Sequence, residues 1–382
     1  MSVQQQAATP KDLPTPDRLL LGPGPSNAHP RVLQAMAKPL LGHLDPAFLE
    51  ILDGVQATLR QLFSTQNRFT LPLSATGSAG MEACLTNLLE PGDAVVIGVN
   101  GVFGGRMADV AARAGAQVTR VEAQWGLPLD EDAMVAAIRS EAPKVVAFVH
   151  AETSTGVCQD PQVIARAAHQ AGALVVLDCV TSLAGIPVEL DSWGIDAAHS
   201  GSQKCLSCSP GLSPVSFSER ALHAVAARST PVQSWFLDVG LLDGYYGGER
   251  VYHHTAPISA IYGLAEGLER VAEEGMEKRV ARHRETAAHL LESLSPLGFS
   301  PLVAPEYRLP MLTTLRLPES VAKQGEANVR RKLLEHHGIE VGAGLGALAG
   351  QVWRVGLMGE NARAESVDSL RRALEYELSA DG

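Results

Sequence analysis

The chain has 382 residues, 46% of them hydrophobic, with 42 acidic against 31 basic side chains and a formal net charge of −11. At ~100–200 residues per domain that length suggests two or three domains, and the apolar content supports a sizeable core rather than disorder. No basic run occurs, which argues against a nucleic-acid partner; no apolar stretch approaches the ~20 residues of a membrane span.

Residues 1–17, MSVQQQAATPKDLPTPD, are polar with three prolines and lack the charged and apolar regions of a secretory signal, so an extended arm is expected. The closing ELSADG carries no targeting address. Five cysteines (84, 158, 179, 205, 208) are odd in number and too sparse for a disulfide scaffold. A cytoplasmic location with reduced thiols is the expectation.

In chain order, short apolar runs then alternate with alanine-rich stretches. DAVVIGV (93–99), KVVAFVHA (144–151) and ALVVLDCV (173–180) read as buried strands. RMADVAARAG (106–115), DEDAMVAAIRSEA (130–142) and DPQVIARAAHQAG (160–172) read as helices between them. Such alternation implies an α/β unit whose mostly parallel sheet is covered on both faces. Near residue 257 the pattern changes: Ile258, Ile261, Leu264, Leu268 and Val271 mark one helical face, and a polar helix spans 277–294. Strand-like TTLRLP and QVWRVGLMG follow, separated by a charged helix (326–337), and Val367, Leu370, Leu374 and Leu378 form a last apolar stripe. A large domain over 18–275 and a smaller α+β domain over 276–382 are expected.

Ligands of parallel sheets bind at the carboxyl ends of the strands. Asp178 ends ALVVLDCV, where a carboxylate is costly to bury unless paired. Lys204, in SGSQKCLSCSPG, is one of seven lysines and sits among small residues after the short run IDAAHS. The two can serve one ligand or form a structural ion pair. LSATGSAGMEACL places Thr76, Gly77 and Ser78 at a helix start, either an anion site or a plain N-cap. NGVFGGR offers Phe103, a ring free to stack or a core aromatic, and ETSTGV offers Thr153 or an ordinary turn. Taken together, these loops suit a ligand with a phosphate, an aromatic ring, a basic ring nitrogen and an aldehyde: pyridoxal 5′-phosphate.

LLLGPGPSNAHPRVLQAM, PLLGHLDPAF, NLLEPGD, ETSTGV, SGSQK, YHHTAP and VWRVGLMG, in that order, resemble the class V aminotransferases. The likeness runs from Arg18 to about Glu377 and is strongest toward the alanine–glyoxylate and serine–pyruvate or serine–glyoxylate enzymes. It implies fold type I of the pyridoxal-phosphate-dependent transferases and transfer of the amino group of alanine or serine to glyoxylate or pyruvate. It further implies that Lys204 bonds the cofactor aldehyde and moves protons, and that Asp178 pairs with the ring nitrogen. Phe103 would stack on the ring where the best-known animal members carry tryptophan. Thr76, Gly77, Ser78 and Gln203 would hold the phosphate, with Ser78 in place of a histidine of some relatives, and Thr153 would bond the ring hydroxyl. Tyr252 and Thr255 would come from the other subunit of a homodimer. Arg354 would clamp the substrate carboxylate, and Gly24, Gly42 and His43 would line the substrate pocket.

An acidic donor such as aspartate would require a second cation, for which Arg106, Arg250 and Arg330 are the candidates. A cysteine desulfurase would need a cysteine late in the chain, whereas the last is Cys208. A redox or metal protein on Cys205-x-x-Cys208 lacks a second ligand pair, and His253–His254 and His336–His337 are not spaced at i, i+4, so no metal is expected. A non-catalytic binding protein would leave Lys204, Asp178 and Arg354 without a purpose.

Overall fold

The computed structural model describes residues 15–379, so the expected arm lies almost wholly outside the described residues. Its centre is a seven-stranded sheet in the order Phe69–Leu73, Ser213–Phe217, Ala197–His199, Leu174–Asp178, Val145–Val149, Ala94–Val99, Gln117–Glu122. Ser213–Phe217 is antiparallel to both neighbours and thus runs against the other six strands. Val145–Val149 and Leu174–Asp178 are buried at every position, as helices on both faces require, and this is why their sequences are continuously apolar. The edge strand Gln117–Glu122 has no buried position and carries Arg120 and Glu122.

A second sheet of five strands runs Leu19–Leu21, Ile339–Ala343, Val352–Gly356, Leu312–Arg316, Ser300–Pro301. It has its own apolar core, in which Trp353 meets Leu290, Leu294, Val367, Leu370 and Leu374. One boundary needs correction. Leu19–Leu21, expected at the start of the large domain, lies in this second sheet, parallel to Ile339–Val341, with Leu21 fully buried in its core. The partner strand is more than three hundred residues away in sequence, beyond the reach of any local pattern.

The two sheets are tied together at the loop that follows Lys204. Arg279, buried on the helix Met276–Leu294, donates to the carbonyls of Ala184 and Cys205 and pairs with Glu274. Glu360 N donates to Ser207 Oγ at 2.9 Å. Farther out, His336 and His337 both bond Oε1 of the buried Glu377, at 2.9 and 2.8 Å. Their adjacency does not separate them as the i, i+4 rule implied; the third donor comes from the terminal helix Ala364–Ser379. No helix among the described residues is long and apolar enough to cross a membrane.

Candidate active site

Parallel register aligns Asp178 with His199 on the next strand, and both side chains are buried at the strand ends. Asp178 Oδ1 accepts from Val180 N at 2.8 Å, while Oδ2 stands 3.7 Å from His199 Nε2. Burial lowers the pKa of His199, with Asp178 and the Gly77 backbone opposing. The chain then turns through Ser200–Gln203 to Lys204, whose backbone is fixed by Ser26: its amide donates to Gln203 O at 2.9 Å and its hydroxyl to Lys204 O at 2.8 Å.

Lys204 is 8% exposed, and its amine donates to Pro23 O. Burial brings its pKa down to about 8, with Arg354 pushing the same way and Cys205 and Asp178 opposing. Gly24 covers it so closely that a Cβ there would sit 2.7 Å from Lys204 Nζ, at a φ of +106° that favours glycine in any case. The neighbouring Cys205 and Cys208 are buried thiols pushed up to about 11 and about 12 by burial, which suits packing rather than redox chemistry.

A cavity of about 160 Å³ opens in front of these groups. Thr76, Gly77, Ser78, Phe103, Asp178, Gln203 and Lys204 line it together with Met81, Arg106, Val180 and His199. Thr76 is the N-cap of the helix Gly77–Leu88, yet its hydroxyl makes no cap bond, so the plain N-cap alternative does not hold. A Cβ on Gly77 would meet Ser200 O and Val180 Cγ2 at 3.2 Å. Gln203 Oε1 is buried and unpartnered. A helix start with free donors, an unbonded hydroxyl and orphaned polar atoms beside an amine and a carboxylate are the features a phosphate-bearing pyridoxal ring requires.

Phe103 is not in a loop. It belongs to the first turn of the helix Val102–Arg113, because a residue that local reading passed over holds that turn. Glu152 is fully buried; its Oε2 accepts from Phe103 N and Gly104 N at 3.1 and 3.3 Å, and its Oε1 from Ser154 N and Oγ at 3.0 and 2.6 Å. Ser154 Oγ in turn accepts from Val102 N at 2.9 Å. Burial raises the Glu152 carboxyl above its usual range in spite of these donors. Gly101 leaves room for the arrangement, since a Cβ there would lie 2.5 Å from Glu152 Cδ. Glu152→Gln turns an amide toward backbone N–H groups and leaves them unpaired, so the variant loses roughly 1–3 kcal/mol of stability, read from its urea midpoint.

Other expected residues lie outside this cavity. The Thr153 hydroxyl is engaged with that of Thr181 at 2.5 Å, and Thr153 O accepts from Arg354 Nη1 at 3.3 Å. Arg354 is buried on Val352–Gly356, and its Nε donates to Ala343 O at 2.8 Å. Gly42, His43, Tyr252 and Thr255 do not line the cavity; the His43 ring lies 5.2 Å from that of Tyr252, which is 59% exposed. Of the candidate second cations, Arg250 pairs with Asp53 and Arg330 with Glu326, while Arg106 stands at the cavity beside Ser78.

The family described as "Aminotransferase class-V" matches residues 18–370. Alanine–glyoxylate aminotransferase of Oryctolagus cuniculus is 40% identical, with 96% of this chain and 94% of that protein covered. (S)-Ureidoglycine–glyoxylate transaminase of Bacillus subtilis is 37% identical over 96% of this chain and 92% of its own. The crystal structure of alanine–glyoxylate aminotransferase from Nostoc sp. superposes with a TM-score of 0.95 at 49% identity, covering 99% of this chain and all of that one. With a lysine, a carboxylate and a helix start meeting at the strand ends of such a sheet, the chain belongs to the class V aminotransferases.

Proposed function

We propose that this enzyme moves the amino group of a small uncharged amino acid, alanine or serine, to glyoxylate, with pyruvate as the alternative 2-oxo acid. Pyridoxal 5′-phosphate, when bound, supplies an electron sink for the pair released at the substrate α-carbon. Lys204 Nζ takes the proton from the donor's α-carbon and, in the second half-reaction, delivers one to the α-carbon of the acceptor; a pKa near 8 suits both directions at neutral pH. Asp178 keeps a negative charge at the ring-nitrogen end, and Phe103, held by Glu152 through its backbone, offers a ring face. Thr76, Gly77, Ser78 and Gln203 hold the phosphate.

Arg354 fits the substrate carboxylate, and its existing bonds set the approach. Nε and one hydrogen of Nη1 are committed to carbonyls, so a carboxylate engages the free hydrogens of Nη1 and Nη2 end-on. The observation that carries the donor assignment is where the candidate second cations stand: Arg250 pairs with Asp53, Arg330 with Glu326, and Arg106 bonds Ser78 at the helix start. With Arg106 turned to the helix start, a donor's side-chain carboxylate is left without a counter-charge. The glyoxylate assignment rests on the relatives named for it, and Gly24, packed against Lys204, favours small ligands. A second copy of this chain would supply Tyr252 and Thr255: Tyr252 is exposed, as are the adjacent Val251 and Trp235, whose ring stacks on His253, side chains suited to burial in a homodimer.

Half-reactions test the donor. Alanine or serine should discharge the cofactor's visible absorbance at least ~10-fold faster than aspartate, the least that one missing charge-assisted contact is worth, and glyoxylate should restore it. Aspartate or (S)-ureidoglycine reacting faster than both small donors would overturn the assignment.

A further inference from the structure

Arg106, weighed from sequence only as a second cation for an acidic donor, lines the same cavity as Lys204. Its Nη1 donates to Ser78 Oγ at 3.2 Å, and its guanidinium carbon stands 4.9 Å from the centroid of the Phe103 ring. It pairs with no acidic side chain among the described residues, although Arg113 on the same helix pairs with Asp109. A phosphate ester at neutral pH carries about −1.5 to −2 charges, and a helix start offers the equivalent of only about +0.5. Lys204, the other fixed cation lining the cavity, is committed to the aldehyde end. The hydroxyl of Ser78 is small enough to let the guanidinium reach the first turn of Gly77–Leu88.

We propose that Arg106 is the counter-charge of the cofactor phosphate, anchored through Ser78 and steadied over Phe103, and that it sets how tightly the phosphate end is held. The helix Val102–Arg113 then serves both parts of the cofactor: Phe103 faces the ring, and Arg106, one turn on, faces the phosphate. The inference rests on the cofactor site and is independent of which amino acid is the donor.

Pyridoxal, which has the same ring and aldehyde without the phosphate, separates this role from general support of the fold. In the full-length enzyme, Arg106→Gln should weaken equilibrium binding of pyridoxal 5′-phosphate to the cofactor-free protein by roughly 10–100-fold, the scale of one charge-assisted contact. It should speed cofactor release from the loaded enzyme, and change pyridoxal binding by less than about threefold, the size of a lost weak contact to the ring. Arg106→Lys, which keeps the charge without the fork, should recover part of the loss. Should the glutamine variant not fold, Arg106→Met keeps an apolar stem over Phe103 and serves for the same comparison. Unchanged affinity for pyridoxal 5′-phosphate would overturn the proposal, as would equal weakening of pyridoxal and its phosphate, which would reduce Arg106 to a prop for Phe103.

Discussion

Lys204→Ala is expected to cut turnover by roughly 10²–10⁴-fold from the loss of proton transfer alone, with a further deficit because the aldehyde loses its covalent anchor. Single-turnover mixing with alanine checks it: the variant should still take up cofactor through the phosphate contacts yet stall before product. Two pH effects follow from the depressed pKa of about 8. Only the neutral amine attacks an aldehyde, so the rate of cofactor capture by the stripped enzyme should climb about tenfold per pH unit below 8 and level off above it. The stability of the stripped enzyme should also rise with pH from about 8 to 10.5. In that window the unfolded lysine still holds its proton while the folded one has released it, and stability increases wherever the unfolded state binds more protons. Below pH 8 both states are protonated and the burial cost is present in full. Thermal melts across that range should show the slope in the wild type and lose it in Lys204→Ala.

Asp178→Asn should lower kcat by roughly 10²–10³-fold, the scale for removing one preorganised electrostatic partner, while cofactor capture persists. Its carboxylate is buried and holds one backbone bond, and its charge reaches far enough to help burial raise the thiols of Cys84 and Cys179. An asparagine that keeps its oxygen on Val180 N presents an amide N–H toward a ring nitrogen that needs an acceptor. A pyridoxal phosphate analogue methylated at that nitrogen is permanently positive and should restore part of the variant's rate. Equal losses with both forms of the cofactor would show that Asp178 acts only through the fold.

Asp178 was legible in the sequence because the strand that carries it is continuously apolar and a carboxylate at its end stands out, and Lys204 because it is a rare lysine set among small residues. Gly77 and Ser78 could be placed by the helix that they open. Glu152 and Arg106 could not. Glu152 lies in a run that reads as an ordinary turn until the amides of Phe103 and Gly104 are brought to it, and Arg106 looks like any solvated helical arginine until Ser78 arrives from another helix. The place of Leu19–Leu21 was hidden likewise, since three leucines do not announce which of two sheets they will join. The third donor beside His336 and His337 also required a fold to bring it in.

The grip of Arg279 on the carbonyls of Ala184 and Cys205 has a mechanical consequence. Arg354 belongs to the five-stranded sheet and Lys204 to a loop of the seven-stranded one, so a swing of one layer over the other would ordinarily alter the gap between the Arg354 guanidinium and the Lys204 amine. Because the helix bearing Arg279 holds the residue next to Lys204, such a swing carries the lysine's backbone along with it. The spacing of Arg354 and Lys204 would thus be set by a buried strut, whichever way one sheet shifted over the other.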